Sequence, residues 1–457
     1  MNEQKTPYNQ IDFVVKAPRF HIVFSYMGDN GLSFVREYLL RLLRLTPCKP
    51  EQIARYFGFN QHETEIALAD LERNKWIVWR NDGLIELSDE GKGLFKSTDD
   101  KSPKIPTLKT SSGEYRMELL DCNFLQKKDC DKARQNAIEL SIDPKVLSES
   151  KEITRKTFQN RFRQLMENDI INVEDKDILL YKIDAIESKG APDYFRFTQS
   201  FELLPETGEA KERHDVPSVI YQDNIHQAVT EQLEQFNNRD NLRELRNSME
   251  AIGDNDTPKV LFGGRLDFNK FLENYHQYEQ KKGLYFLGQI YHQEALFKQI
   301  KPMLNKKQSK KLYWLAPSDI YWGKQRKIHD KLQEFIDKQK NGYEFRLYLP
   351  LSDKKNQHEK QEWLNEFRDI SKEVLYGFCE GFLDGNTEIL FLEDKFAVVC
   401  YHAKLSDYPV TLPIGFMTTH KQQIKHIQTL VEQYLSNFVT VDEEQEKKDF
   451  GKLEHSK

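Results

Sequence analysis

The chain has 457 residues, about three times the length of a typical domain of roughly 150 residues, so two to four domains are expected. Hydrophobic residues make up 38% of the chain, and its 29 Phe, 20 Tyr and 5 Trp can fill packed cores, which excludes global disorder. Lys and Arg number 67 against 73 Asp and Glu, a net charge of −6, so only a local basic face could bind nucleic acid.

The chain shows no apolar run as long as a membrane span and does not begin like a secretory signal, so a cytoplasmic protein without membrane contact is expected. The cysteines are odd in number, scattered and without a CxxC pair, which predicts reduced thiols and neither a zinc site nor another metal or cofactor site. The alternative, a disulfide or metal pair at Cys122 and Cys130, stays open. The five cysteines are Cys48, Cys122, Cys130, Cys379 and Cys400.

Composition shifts predict a multidomain α+β chain with a mixed α+β middle domain. The predicted blocks are a first domain with an N-terminal extension at 1–97, a linker at 98–113, the middle domain at 114–256, an α/β domain at 257–441 and a flexible tail at 442–457.

The first block has the clearest local pattern. Residues 31–45 place leucines at helical spacing, and residues 50–58 form a second short helix that a glycine ends. Asn60 and Glu63 have the spacing of a capping box at the start of a third helix. A hairpin follows around an Asp-Gly turn and leads into LSDEGKGLF.

This order of helix, short helix, helix and hairpin resembles a bacterial winged-helix domain over residues 31–96. The resemblance implies that the third helix enters the major groove of DNA and that the wing contacts the backbone. Residues 60–73, however, carry four carboxylates against one arginine, so a structural or protein-binding role is an equal alternative. The candidate DNA-binding residues of this block are Arg36, Arg41, Arg44, Gln61, His62, Arg73 and Arg80.

The middle block contains the most basic predicted helix, at residues 151–168, where cations surround an apolar stripe. Such a local footprint suits phosphate contact, although an ordinary amphipathic surface helix has the same pattern. Its candidate nucleic-acid-binding residues are Arg155, Lys156, Arg161 and Arg163. Two antiparallel strands are predicted after it, at 177–184 and 194–204.

The third block alternates strands with helices from residue 283 to residue 438, which predicts an α/β sandwich with an added antiparallel hairpin. That order, ending in TEILFLEDKFAVV, resembles one repeat of the phospholipase D superfamily. Active members carry His-x-Lys-x4-Asp; with Asp394 as the aspartate, Thr387 and Ile389 stand at the other two positions. The resemblance therefore implies a degenerate phospholipase D-like domain without catalytic residues, which binds rather than cleaves and pairs as a homodimer. A partial match, His402-Ala-Lys404, reaches an aspartate too early in the sequence.

These patterns favour a non-enzymatic, nucleic-acid-associated regulator or adaptor subunit of a bacterial complex, of which antiviral defence complexes are one setting. DNA, a second copy of the chain and other subunits are the expected partners. One alternative is a metal-dependent nuclease that uses Asp384, Glu393 and Lys395. Another is a protein-interaction scaffold that does not bind DNA. Tyr321 and Trp322 are a candidate surface pair for stacking on bases.

Overall fold

The structure, a computed structural model, contains helices together with several separate sheets, so the mixed α+β class is confirmed. Within the described part of the chain, no helix is both long and apolar enough to cross a bilayer. The structure describes residues 6–95, 102–173, 178–204, 210–214, 223–236, 239–262, 264–281, 283–304, 309–441 and 444–454.

The N-terminal part contains two long strands, a group of short elements and a third long strand. These are β1 (Thr6–Ala17), β2 (Arg19–Gly31), α1 (Phe34–Leu45), α2 (Pro50–Phe57), α3 (Gln61–Arg73), β3 (Ile77–Trp79), β4 (Ile85–Leu87), α4 (Asp89–Gly93) and β5 (Lys104–Met117). Residues 34–95, which hold α1–α4 and the hairpin β3–β4, are called the helical module below.

The helical module is inserted between two paired strands. β2 and β5 run antiparallel, from Arg19 opposite Arg116 to Gly31 opposite Lys104, and the module lies in the connection between them. The predicted linker at 98–113 is therefore wrong from residue 104 onwards. The segment looked like a linker because its residues are small and polar, but one face of β5 is exposed to solvent and backbone hydrogen bonds hold the strand.

Within the module, the predicted helices and hairpin are confirmed. The Asn60 side chain accepts from the Glu63 N–H at 2.8 Å and the Glu63 carboxylate accepts from the Asn60 N–H at 2.9 Å, which is the predicted capping box. Leucines of α1 and α3 pack with Ile53 and Trp76 into a separate small core.

The middle of the chain contributes short strands, helices and two longer strands. These are β6 (Phe124–Leu125), β7 (Cys130–Asp131), β8 (Ile138–Glu139), α5 (Pro144–Ser148), α6 (Ser150–Asn160), α7 (Phe162–Glu167), β9 (Leu179–Ser188), β10 (Asp193–Leu203), β11 (Ala210–His214), α8 (Asp223–Gln235) and α9 (Leu242–Ile252).

A four-stranded antiparallel sheet, in the order β6-β5-β2-β9, carries α6 and α7 on one face, where Phe158 and Phe162 pack against Phe24. The single helix expected at 151–168 is two helices that meet at Arg161. The break places the Arg161 guanidinium within hydrogen-bond distance of the Cys122 carbonyl, at 3.3 Å.

The last part of the chain begins at residue 257. Its elements are α10 (Thr257–Val260), β12 (Leu261–Phe262), β13 (Arg265–Leu266), α11 (Phe268–Gln280), β14 (Leu284–Leu287), α12 (Glu294–Leu304), β15 (Lys310–Leu315), α13 (Lys327–Lys338), β16 (Tyr343–Leu351), α14 (Gln357–Glu366), β17 (Leu375–Cys379), β18 (Thr387–Leu392), β19 (Phe396–Ala403), β20 (Leu412–Thr418), α15 (Lys421–Ser436), β21 (Phe438–Val441), β22 (Glu444–Lys447) and β23 (Asp449–Lys452).

An eight-stranded mixed sheet forms the centre of this part, in the order β14-β20-β19-β18-β15-β16-β17-β23. β15, β16 and β17 are parallel, and the other neighbouring pairs are antiparallel. Side chains of α12, α13 and α14 pack on one face. Side chains of α8, α9, α11 and α15 pack on the other.

Two block boundaries differ from the sequence prediction. Strand β1 pairs with β10, and both contribute to the same core as the eight-stranded sheet, together with α8 and α9. The boundary predicted at 256 and 257 therefore cuts through one core, because apolar contacts between distant segments leave no local signal. The predicted flexible tail is also wrong over its described residues, since β22 pairs with β21 and β23 pairs with β17.

Candidate functional site

The predicted DNA-binding arginines of the helical module are mostly engaged within the module. Arg36 makes two hydrogen bonds to the Asp70 carboxylate, at 2.6 and 2.8 Å. Arg41 pairs with Glu37 at 3.2 Å, and the Arg44 guanidinium lies 4.3 Å from the centre of the Phe95 ring. Three of these arginines therefore have partners within the module.

The remaining candidates lie on exposed surfaces with carboxylates beside them. Arg80, on the hairpin, lies within ion-pair distance of Asp82 and Glu86, at 3.5 and 3.7 Å. Gln61, His62 and Arg73 are exposed on α3.

A groove of about 930 Å³ runs between α2, α3 and Trp79. Its lining includes three carboxylates, Glu51, Glu65 and Glu72, against one cation, Arg55. The face that the winged-helix resemblance assigns to DNA is therefore acidic.

A second groove, called the basic groove below, lies between α6–α7 and strand β9. Its volume is about 530 Å³, and the charged side chains of α6 and α7 that line it are Arg155 and Arg163. Tyr181, which also lines it, exposes 63% of its surface. Lys182 belongs to the lining too, but its ammonium pairs with Asp184, which accepts from the Ser25 hydroxyl, so its charge lies on the face of the sheet that does not pack on the helices. Sequence reasoning found the two arginines but missed Tyr181, because its strand gave no sign of facing the helix.

The other two cations predicted on this helix have different surroundings. Lys156 is exposed beside the groove but does not line it. Arg161 is half-buried and turned towards the Cys122 carbonyl, so it does not line the groove either.

A third site is buried inside the eight-stranded sheet, where a histidine lies between two carboxylates. In the β18–β19 pair, Glu388 is directly opposite Cys400, and His402 is two residues further along, so all three side chains lie on one face. His402 Nδ1 lies 2.7 Å from Asp319, and His402 Nε2 lies 3.1 Å from Glu388 Oε2. The site is called the His402 cluster below, and the side chains of His402, Asp319, Glu388 and Cys400 have no solvent exposure.

Neighbouring groups complete the hydrogen bonding of the two carboxylates. The indole N–H groups of Trp314 and Trp322 both donate to Glu388 Oε1 at 2.7 Å. The Thr411 hydroxyl donates to Asp319 at 2.8 Å, and the Tyr321 N–H donates to it at 3.2 Å. The predicted surface role of Tyr321 and Trp322 is therefore wrong, because their loop folds over Glu388 and buries both side chains.

The electrostatics of the cluster follow from burial and these contacts. Burial opposes a charged imidazole, but the hydrogen bonds that His402 makes to Asp319, Cys400 and Glu388 raise the pKa of His402 well above its usual value. Burial would also raise the pKa of Asp319, but His402 outweighs it and holds that pKa below the usual range. Burial raises the pKa of the Cys400 thiol to about 11. Glu388, Cys400 and His402 are fully buried, whereas Asp319 and Trp322 belong to the lining of a pocket of about 560 Å³.

The positions named for catalysis are not brought together. Thr387 and Ile389 are buried, and Asp394 pairs with Lys310 at 2.8 Å in the turn between β18 and β19. Asp384 and Glu393 flank opposite ends of the six-residue strand β18, so about 20 Å of strand separates them at ~3.3 Å per residue. The nuclease constellation of Asp384, Glu393 and Lys395 is therefore wrong.

No protein-family model matches this chain, and no curated protein matches it.

Proposed function

We propose that the protein is a non-catalytic adaptor that binds single-stranded nucleic acid in the basic groove. One observation carries the proposal: Arg155 and Arg163 line one groove with the exposed Tyr181, and the described lining residues include no carboxylate. A positive groove with an exposed aromatic ring is the arrangement that holds a single strand, because cations follow the phosphates and the ring stacks on a base.

The cations of the groove can exchange their present partners for phosphates. Arg155 lies 3.6 Å from Glu152, and Arg163 lies 3.3 Å from Glu167. Each pair is partly or largely exposed, and exposed ion pairs stabilise a protein by only about 0–1 kcal/mol. The gain from contact with a polyanion exceeds that loss, since each neutralised phosphate also releases counterions.

Titrations of a fluorescent oligonucleotide at several salt concentrations test the proposal. The double variant Arg155→Ala/Arg163→Ala should bind more weakly, and the slope of log affinity against log salt should become shallower by about 1.4, since each contact to a single strand contributes roughly 0.7. The double variant Arg73→Ala/Arg80→Ala is the control, because it removes the same charge from the helical module. If the control loses binding and the first variant does not, the helical module is the nucleic-acid surface and the proposal is wrong.

A substitution at Tyr181 separates stacking from charge. Tyr181→Ala should weaken binding by about five- to 150-fold, from the roughly 1–3 kcal/mol of a base–aromatic contact, without changing the salt slope. Tyr181→Phe keeps the ring and should bind like the parent. Equal affinities of all three proteins would contradict a stacking role.

The finer domain assignments are part of this proposal. The order of three helices and a hairpin supports a winged-helix domain at 34–95, and the sheet with its β18–β19 hairpin supports a degenerate phospholipase D-like domain. The buried Thr387 and Ile389 support the absence of catalysis. Purified protein should therefore not cleave phosphodiesters with or without EDTA, and metal-free cleavage of a nucleic acid would contradict the assignment.

A second candidate function, docking of a protein, is favoured by the groove on the helical module. Its apolar residues Leu68, Ala69 and Trp79 lie beside the three carboxylates, which suits a basic amphipathic helix of a partner subunit. Glu65→Lys/Glu72→Lys should weaken capture of such a peptide at least tenfold and leave oligonucleotide binding unchanged. Equal peptide binding by this variant and the parent would exclude the groove.

A further inference from the structure

The His402 cluster has the composition of a metal site. It combines an imidazole, a thiol and a carboxylate whose ligand atoms all lie within 4.8 Å of one another, on side chains without solvent exposure. We propose that Glu388, Cys400 and His402 bind one divalent metal ion of the zinc class. This departs from the expectation of no metal site, which rested on the missing CxxC pair.

The distances suit a small ion with short bonds. Zinc binds nitrogen and oxygen at about 2.0–2.2 Å and sulfur at about 2.3 Å, so its ligand atoms lie roughly 3.3–3.7 Å apart in a tetrahedron. His402 Nε2 and Glu388 Oε2 are already 3.1 Å apart. Small side-chain rotations, without movement of β18 or β19, would therefore admit the ion between them.

The surrounding hydrogen bonds orient the ligand atoms of His402 and Glu388 towards each other. Asp319 accepts from His402 Nδ1, which directs the Nε2 lone pair towards Glu388 and Cys400. Metal-binding histidines usually make such a contact to a carboxylate. The indole N–H groups of Trp314 and Trp322 donate to Oε1 of Glu388, so Oε2, which faces His402 Nε2, is the ligand atom.

A divalent ion would bind the neutral Nε2 of His402 and the thiolate of Cys400, because metal ligands are deprotonated. The Cys400 thiolate and the Glu388 carboxylate would balance the two positive charges of the ion, so it would add no uncompensated charge to the buried site, where such charge is costly.

The ligand types select the metal and its role. A thiolate with an imidazole and one carboxylate favours zinc over magnesium or calcium, which prefer oxygen ligands only. Among the described residues, Glu388, Cys400 and His402 supply three ligand atoms, and an enclosed water would take the fourth tetrahedral position. Because the ligands are inaccessible to substrate, the ion would join β18 to β19 and stabilise the fold.

Metal content and cobalt spectra test this site. The full chain, expressed with added zinc and then dialysed, should carry about one equivalent of zinc by mass spectrometry. Cys400→Ser should carry at least tenfold less, whereas Cys48→Ser, at a buried cysteine outside the cluster, should match the parent. Zinc at one equivalent in Cys400→Ser, or none in the parent, would overturn the proposal.

Cobalt provides a readout that does not depend on the folding of a variant. Parent protein refolded from chelator and denaturant with Co²⁺ should show a thiolate-to-cobalt charge-transfer band and tetrahedral d–d bands, as should Cys48→Ser. If refolded parent protein, with its native circular dichroism regained, shows no thiolate band, Cys400 is not a ligand and the site is wrong.

Discussion

His292 should make the protein sensitive to acid, and the substitution His292→Gln should remove that sensitivity. His292 lies in the 3₁₀ turn Ile290–His292 after β14, where its Nε2 contacts Gln325 Oε1, and Gln325 in turn donates to Gln10 of β1. Burial disfavours the charged imidazole and lowers the pKa of His292 from 6.5 to about 4. The hydrogen bond to Gln325 and the charge of Glu294 raise this pKa, whereas the charge of Lys327 lowers it further. A glutamine keeps an amide donor towards Gln325 and does not titrate.

The sign and size of the effect follow from proton linkage. Between pH 6.5 and 4 the unfolded chain binds a proton at His292 that the folded chain does not, so the free energy of unfolding falls as the pH falls. The full difference in pKa corresponds to a loss of about 3 kcal/mol at pH 4 relative to pH 7. Above about pH 7.5, one unit over the ordinary pKa of 6.5, the imidazole is neutral in both states and contributes no pH dependence.

Urea unfolding followed by circular dichroism at pH 7.5, 6.5, 5.5 and 4.5 measures this contribution. The slope of unfolding free energy against pH should be shallower in His292→Gln than in the parent, by up to about 1.4 kcal/mol per unit between pH 5 and 6. Other titrating groups, including His329, whose pKa is also lowered by burial, are shared by both proteins and cancel in the difference. Parallel curves for the two proteins would show that His292 titrates alike in both states and would refute the reasoning.

Three further substitutions test the fold. Arg196→Met should lower the free energy of unfolding in urea by about 3–5 kcal/mol, because Arg196 contacts Asp12 and Asp131 at 2.9 Å and its loss leaves their buried charge unpaired. Arg134→Met removes an exposed ion pair and should lower it by about 1 kcal/mol or less, so equal losses in the two variants would refute the argument. Asn60→Ala should lower the stability measured by thermal unfolding by about 1 kcal/mol, because it removes the N-cap acceptor of α3, whereas Asn60→Asp keeps an acceptor and should not. An equal loss of stability in both variants would show that the cap is not its cause. Gly91→Ala would place a Cβ 2.0 Å from the Trp76 carbonyl oxygen and should therefore unfold the helical module, which limited proteolysis would detect as faster cleavage. A Cβ at Gly93 would meet no neighbouring atom, so Gly93→Ala should be cleaved like the parent.

The sequence predicts the elements that local signals define. Continuous apolar runs between polar turns locate β15 and β18–β20, and the Asn60–Glu63 spacing locates the start of α3. Pairing between distant segments left no such signal, so the partnership of β1 with β10 was not predicted.

The His402 cluster was missed for a related reason. Glu388 and Cys400 become neighbours only through the β18–β19 register, and Asp319 arrives from a loop after β15. The available signal was a charged residue inside each of two apolar strands, Glu388 in TEILFL and His402 after AVVCY. A charge at such a position must be paired when the strand is buried on both faces.

The insertion of the helical module between β2 and β5 determines how the chain can be dissected. A conventional N-terminal deletion that removes the module would also remove β1 and β2, and with them an inner strand of each of two sheets and part of the largest core. An internal deletion that joins Gly31 to Lys104 through a two-residue turn would instead convert β2 and β5 into an ordinary hairpin, because these two residues are already opposite each other. The shortened chain would retain both the basic groove and the His402 cluster, so the module's contribution to binding can be measured by subtraction.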